Sequence, residues 1–166
     1  MSDSEHGRSN SKLETRNSKL ASVSQSRPLG LLSGVELSAQ QLRALRAIEA
    51  YDLSPIRARL VEKGLMTPGW ADEAIFEFRR YLGLRAVRPE PITMLSGDVD
   101  EVWHTCLIFT RLYADLCQQV FGGFFHHDPT MEAAGDRKAL WLEFEAAYRQ
   151  LYGDPGPFWL MWRPLD

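Results

Sequence analysis

The side chains with the most chemical potential are Asp100 and His104, four positions apart, and the tandem pair His126-His127, followed by Asp128. On a helix, a carboxylate at i and an imidazole at i+4 share a face, so Asp100 can orient the His104 ring and raise its basicity. Gly122-Gly123 permits a sharp reversal, and Phe124-Phe125 can anchor the returning chain in a core. Such a reversal would set the tandem histidines beside His104. Two imidazoles with Asp100 or Asp128 would then form a three-ligand site of the catalytic zinc or iron type, with a position left open. His104, His126 and His127 are thus candidate ligands for a divalent metal, Zn or Fe. Together with Asp100 and Trp103 they make a candidate ligand-binding site.

Simpler roles exist for the same residues. Adjacent histidines before Asp-Pro can cap a helix and bond loop carbonyls, and Trp103-His104 can be a buried indole with a satisfied polar neighbour. No H-E-x-x-H, C-x-x-C, G-x-S-x-G or phosphate-cradling glycine loop occurs. Three functions follow. The first is a binding or interaction module that recognises an unidentified protein or small-molecule partner near Trp103, His104, His126 and His127. The second is a metal-dependent enzyme using His104 and the His126-His127 pair. The third is a structural motif in which His104 locks the returning loop.

The elements that must position these residues read as helices throughout. Ser38 with Gln41 forms a capping-box pattern ahead of Leu42, Leu45 and Ile48. Ser54-Pro55 and Thr67-Pro68 each join a cap to a proline at a helix start. Gly64 is expected to end the first of these two helices and Gly83 the second. Residues 84–97 read as a loop, extended at Arg88 and Glu90 before prolines. Asp98 with Glu101 opens a long helix to Val120 or Phe121, and a last helix begins near Thr130 or Asp136 and stops at Gly153. The cluster Phe158, Trp159, Leu160, Met161 and Trp162 is expected to pack back as a cover. No strand-like alternation appears, so the fold class is all-α, a single-domain bundle of about five helices. Arg79 and Arg80 are read as favourable charges at a helix C-terminus.

On the long helix, Val102, Cys106, Phe109, Tyr113, Leu116, Cys117 and Val120 form an apolar stripe, while Asp100, His104, Arg111 and Asp115 lie opposite. His104 and Cys117 would stand about 20 Å apart along one straight helix, too far to share an ion. Cys106 and Cys117 would be about 16 Å apart, beyond disulfide reach. Both are read as small core residues.

The chain has 166 residues, 45% hydrophobic and 25% charged, with a formal charge of -3, which excludes a collagen, a wholly disordered chain and a strongly basic nucleic-acid binder. Residues 1–35 hold nine serines and no aromatic residue, and read as a disordered tail preceding a helical domain at 36–166. No membrane-spanning stretch or secretory signal is present, so a cytoplasmic location with reduced thiols is expected.

The run Asp100-Glu101-Val102-Trp103-His104, then Thr110 with Tyr113, Cys117, Phe121-Gly122 and His126-His127 with Pro129 resembles the signature of the glycine-rich domain-containing protein-like family. That pattern is D-x-x-W-H, T-x-x-Y, C, F-G and H-H-x-P. The resemblance extends more thinly from Val35 to Tyr152. It implies an isolated all-α domain and marks Asp100, Trp103, His104, Tyr113, Cys117, His126 and His127 as motif positions. Where many members carry a second histidine two positions after the first, this chain has Cys106.

Overall fold

The structure is a computed structural model that describes residues 27–88, 90–127 and 136–164. Seven α-helices are present among the described residues: α1 Ala39–Ala50, α2 Ser54–Glu62, α3 Pro68–Val87, α4 Gly97–Ile108, α5 Thr110–Phe121, α6 Arg137–Tyr152 and α7 Pro157–Leu160. The fold is all-helical, as the sequence reading held, with more and shorter helices than the five expected.

Most of the start signals operate through the chemistry that suggested them. Ser38 Oγ accepts from the Gln41 amide at 3.2 Å, and Gln41 Oε1 accepts from the Ser38 amide at 2.9 Å. Thr67 caps α3 and Asp136 caps α6. Four expectations fail. Ser54 is the first residue of α2 rather than its cap, which falls on Leu53 with no side-chain hydrogen bond. The cap of α4 is Ser96, whose hydroxyl accepts from Val99, so Asp98 and Glu101 do not form the box. Gly83 does not end α3, which continues to Val87. The long helix from Asp98 to Phe121 is broken at Phe109, which leaves the helical region at φ -88°, ψ 62°.

Helix α3 is the axis of the bundle, packing against α1, α2, α4 and α6. Gly83 sits at its closest approach: a Cβ there would collide with the Tyr152 hydroxyl and lie 2.9 Å from Leu45 Cδ2. The glycine therefore serves packing between helices rather than termination. Arg79 and Arg80, expected at a helix end, lie inside α3. Arg79 donates to the carbonyls of Ile48, Glu49 and Tyr51, capping the C-terminus of α1. It thus neutralises the carbonyl end of a neighbouring helix rather than its own.

Glu77 is the charged group deepest in the core. Its Oε2 accepts from the Tyr148 hydroxyl at 2.6 Å and from Trp159 Nε1 at 2.7 Å, and its Oε1 pairs with Arg80 at 3.2 Å. Burial of this carboxylate is sustained because both oxygens are bonded. The network joins α3 to α6 and α7, so Phe158 and Trp159 cover the core as expected. Leu160, Met161 and Trp162 stay exposed.

Part of the stretch ahead of residue 36 packs against the helices. Pro28–Gly30 form a 3-10 turn, and Leu29 and Leu31 are buried. Leu29 adopts φ 58°, held by its amide on Glu49 Oε1 at 2.8 Å and its carbonyl on Arg80 Nε at 3.0 Å. The serine-rich stretch to residue 26, and Asp128, lie outside the described residues.

Candidate functional site

Helix α4 presents Asp100 and His104 one turn apart on its outer face, while Val99, Val102, Trp103 and Cys106 are buried. This separation follows from the helical period: residues four apart share a face, and residues two positions from either, such as Val102 and Cys106, fall on the opposite one. Helix α5 ends at Gly122, whose left-handed φ of 72° turns the chain back along the bundle. The returning segment lays Phe125 and His127 against Trp103. The indole stacks on the His127 ring at 4.2 Å and on the Phe125 ring at 5.1 Å.

A hydrogen-bond relay holds this stack. Trp103 Nε1 donates to the Tyr113 hydroxyl at 2.8 Å, and that hydroxyl donates to the Phe125 carbonyl at 2.5 Å. Tyr113 thus ties α5 to α4 and to the loop. Burial holds its phenol well above the ordinary tyrosine range, so it stays neutral and remains a donor.

The result is a convergence of three donor groups. His127 Nε2 lies 2.9 Å from His104 Nε2 and 3.1 Å from Asp100 Oδ1, and His104 Nε2 lies 3.5 Å from Asp100 Oδ2. With one ligand atom per residue, the three groups lie within 4.8 Å of one another. The His127 side chain is 3% exposed, Asp100 21% and His104 47%, so the group has a closed side and an open side. Asp100 Oδ1 is buried and makes no hydrogen bond, although the His127 nitrogen is close.

His126 does not join. It is exposed and packs its ring 4.9 Å from Phe124, facing away from His104. Successive residues of an extended segment point to opposite sides, so only one of two tandem histidines can reach a given point. Of the candidate residues, Asp100, His104 and His127 therefore come together and His126 stands apart. Cys106 and Cys117 are buried free thiols, as the apolar stripe implied. Burial pushes the Cys106 thiol up to about 12, which removes its nucleophilic form. The argument from one straight helix no longer applies to the cysteines, because α4 and α5 are separate.

A cleft of about 150 Å³ adjoins the triad, lined by the His127 and Trp103 rings, His126 and Phe125. Tyr81, packed 5.5 Å from Trp103, Arg85, 5.1 Å over the Phe125 ring, and the segment Pro91 to Met94 form the rest of its wall. Sequence reading missed this wall. Residues 84–97 looked like a linking loop, and Arg85 was given no role of its own. The burial of Ile92 and Met94 at alternate positions was the available signal.

No helix among the described residues is long and apolar enough to cross a membrane. A family model described as UCP032817-like matches residues 44–143. No curated protein and no solved structure matches the chain. The match corrects the family reading made from the D-x-x-W-H and H-H-x-P motifs: it is to UCP032817-like, and no glycine-rich domain family is found. Those motifs mark residues that build one local site, and a short site pattern is weaker evidence of kinship than a match along the helical body.

Proposed function

The chain belongs to the UCP032817-like family, and we propose that Asp100, His104 and His127 form a mononuclear site for a divalent transition metal. The observation that carries this reading is the spacing of the three donor groups. For metal–ligand bonds of about 2.1 Å, neighbouring donors stand about 3.0 Å apart at right angles and about 3.4 Å apart in a tetrahedron. Here the two imidazole nitrogens stand 2.9 Å apart, and the Asp100 carboxylate faces both, Oδ1 at 3.1 Å from His127 and Oδ2 at 3.5 Å from His104, with one atom per residue falling within 4.8 Å. Two imidazoles and one carboxylate suit zinc or iron(II) and leave positions open for water or a ligand. A cation so held would lower the pKa of bound water or polarise a ligand oxygen, and the domain is read as a metal-dependent enzyme on that basis.

The residues around the triad have matching roles. Asp100 supplies the negative charge that compensates the ion, and its buried Oδ1 gains the partner it lacks. Trp103 fixes the plane of the His127 ring by stacking and excludes water from its closed side. His104, nearly half exposed, is the most open of the three donors. The buried free thiols fit a reducing compartment such as the cytoplasm.

The test is a titration of chelator-stripped protein with Zn²⁺ or, under anaerobic conditions, Fe²⁺. One equivalent is expected to bind, with binding lost in His104→Ala and His127→Ala and retained in His126→Ala. No binding to the wild type, or equal binding by His104→Ala, overturns the reading.

A further inference from the structure

We infer that the cleft beside the triad takes a small carboxylate, gripped by Arg85, as the substrate or ligand of the metal site. For its link to the metal, this inference rests on the reading above.

Arg85 lies in the last turn of α3 and lines the same cleft as the His127 ring. One donor is used: NH1 donates to the Glu90 carbonyl at 2.8 Å. The guanidinium carbon also sits 5.1 Å from the centre of the Phe125 ring. Nε is buried and makes no hydrogen bond. Among the described residues no carboxylate forms an ion pair with Arg85. The other arginines buried in this helix are compensated, Arg80 by Glu77 and Arg79 by three helix-end carbonyls. A buried guanidinium donor without an acceptor is costly, and a carboxylate in the cleft that Arg85 lines would bring an acceptor and a negative charge to this guanidinium.

The position at a helix C-terminus explains a positive charge there but not a buried, unmatched Nε. Glu90 supplies only a backbone carbonyl, so the positive charge of Arg85 stays uncompensated. The cleft walls decide the rest of the ligand. Ile92, Met94 and the rings of Trp103 and Phe125 are apolar, so the ligand is carboxylate at one end and apolar at the other. A volume of about 150 Å³ is that of a site able to hold a benzene-sized molecule. The guanidinium fork matches a planar carboxylate with two parallel hydrogen bonds. The His127 ring is common to the cleft and the triad, which sets such a ligand beside the metal.

Benzoate and its uncharged analogue benzamide are suitable probes. Each is titrated into zinc-loaded and metal-free protein by calorimetry, with zinc content measured on the same samples. The wild type is expected to bind benzoate at least about tenfold more tightly than benzamide, the ratio set by a charged hydrogen-bonded pair. Arg85→Gln is expected to lose that preference while keeping its zinc, and Arg85→Lys to recover part of it. Equal binding of the two probes by the wild type overturns the inference without needing any variant. A preference unchanged in Arg85→Gln, or no binding of either probe, overturns it as well. Zinc bound normally with no benzoate preference leaves the metal site standing and removes the carboxylate. Benzoate preference without bound zinc removes the metal reading and leaves the cleft as a carboxylate site.

Discussion

His127 Nε2 stands 2.9 Å from His104 Nε2 although the two residues are 23 positions apart in the chain. Nothing local to either residue produces this approach. It requires the break at Phe109, the left-handed turn at Gly122 and the stack on Trp103 to act together. A pair of imidazole nitrogens held at that distance beside a carboxylate is suited to share one cation.

Bound metal should stabilise the fold. At a free zinc concentration one hundred times Kd, ligand linkage adds about 2.7 kcal/mol. The thermal midpoint of the wild type should therefore rise with zinc and fall back with chelator. The rise should vanish in His127→Ala. Acidification should weaken the effect, because protons compete for the imidazole lone pairs. A midpoint that does not move with saturating zinc would count against the site.

Tyr113→Phe should loosen the site without emptying it. The lost hydroxyl leaves Trp103 Nε1 buried and unsatisfied and releases the Phe125 carbonyl. The expected loss of stability is about 1–3 kcal/mol by urea unfolding. Metal affinity should drop about tenfold or more, since the residue that orients the loop is gone. Unchanged zinc affinity in a destabilised Tyr113→Phe would show that the relay supports the fold alone.

Gly83→Ala should destabilise, against the helix preference of alanine. Alanine gains about 1 kcal/mol over glycine in an exposed helix interior. Here its methyl group would press on the Tyr152 hydroxyl and on Leu45 Cδ2, both in the buried contact of α3 with α1 and α6. Overpacking of this kind costs about 1–3 kcal/mol. A variant more stable than the wild type would mean that this contact relaxes freely.

Stability should fall steeply at alkaline pH. Burial holds the phenols of Tyr113, Tyr148 and Tyr152 above their ordinary range, with the neighbouring Glu77 carboxylate adding to the effect at Tyr148. In the unfolded chain these groups lose their protons near pH 10, while in the folded chain they keep them. The unfolded state then binds fewer protons, so unfolding becomes easier as pH rises. Each such tyrosine contributes about 1.4 kcal/mol per pH unit above that point. The contribution is fully present below about pH 10 and lost as pH climbs toward the folded-state values. Urea midpoints measured from pH 8 to 11.5 should show this decline, and a flat profile would contradict it.

Cys106 should resist alkylation in the native protein. Its thiol is buried and pushed up to about 12, so little thiolate forms at pH 8. Iodoacetamide should label it only at the rate of unfolding, and in full once urea is added. Rapid labelling of the native protein at this position would show that α4 opens locally.

The chain itself determined the helical class and most helix starts, because these depend on neighbours within four residues. Ser38 with Gln41, Thr67-Pro68 and Asp136 act through hydrogen bonds a single turn long. The Asp100–His104 pairing and the inward stripe through Val102, Cys106, Tyr113 and Cys117 follow from the helical period in the same way. Tertiary structure decided what depends on distant partners. It ran α3 through Gly83 because Tyr152 needed the space, and it made Ser96 rather than Asp98 the cap of α4. It chose His127 over His126, since only one of two adjacent side chains could lie on Trp103. It also placed Arg85, to which the sequence assigned no role, in the lining of a cleft that includes that same ring. Local patterns fix dihedral angles cheaply, whereas the meeting of His104, His127 and Asp100 depends on the packing of two helices and a loop, which no short window of sequence encodes.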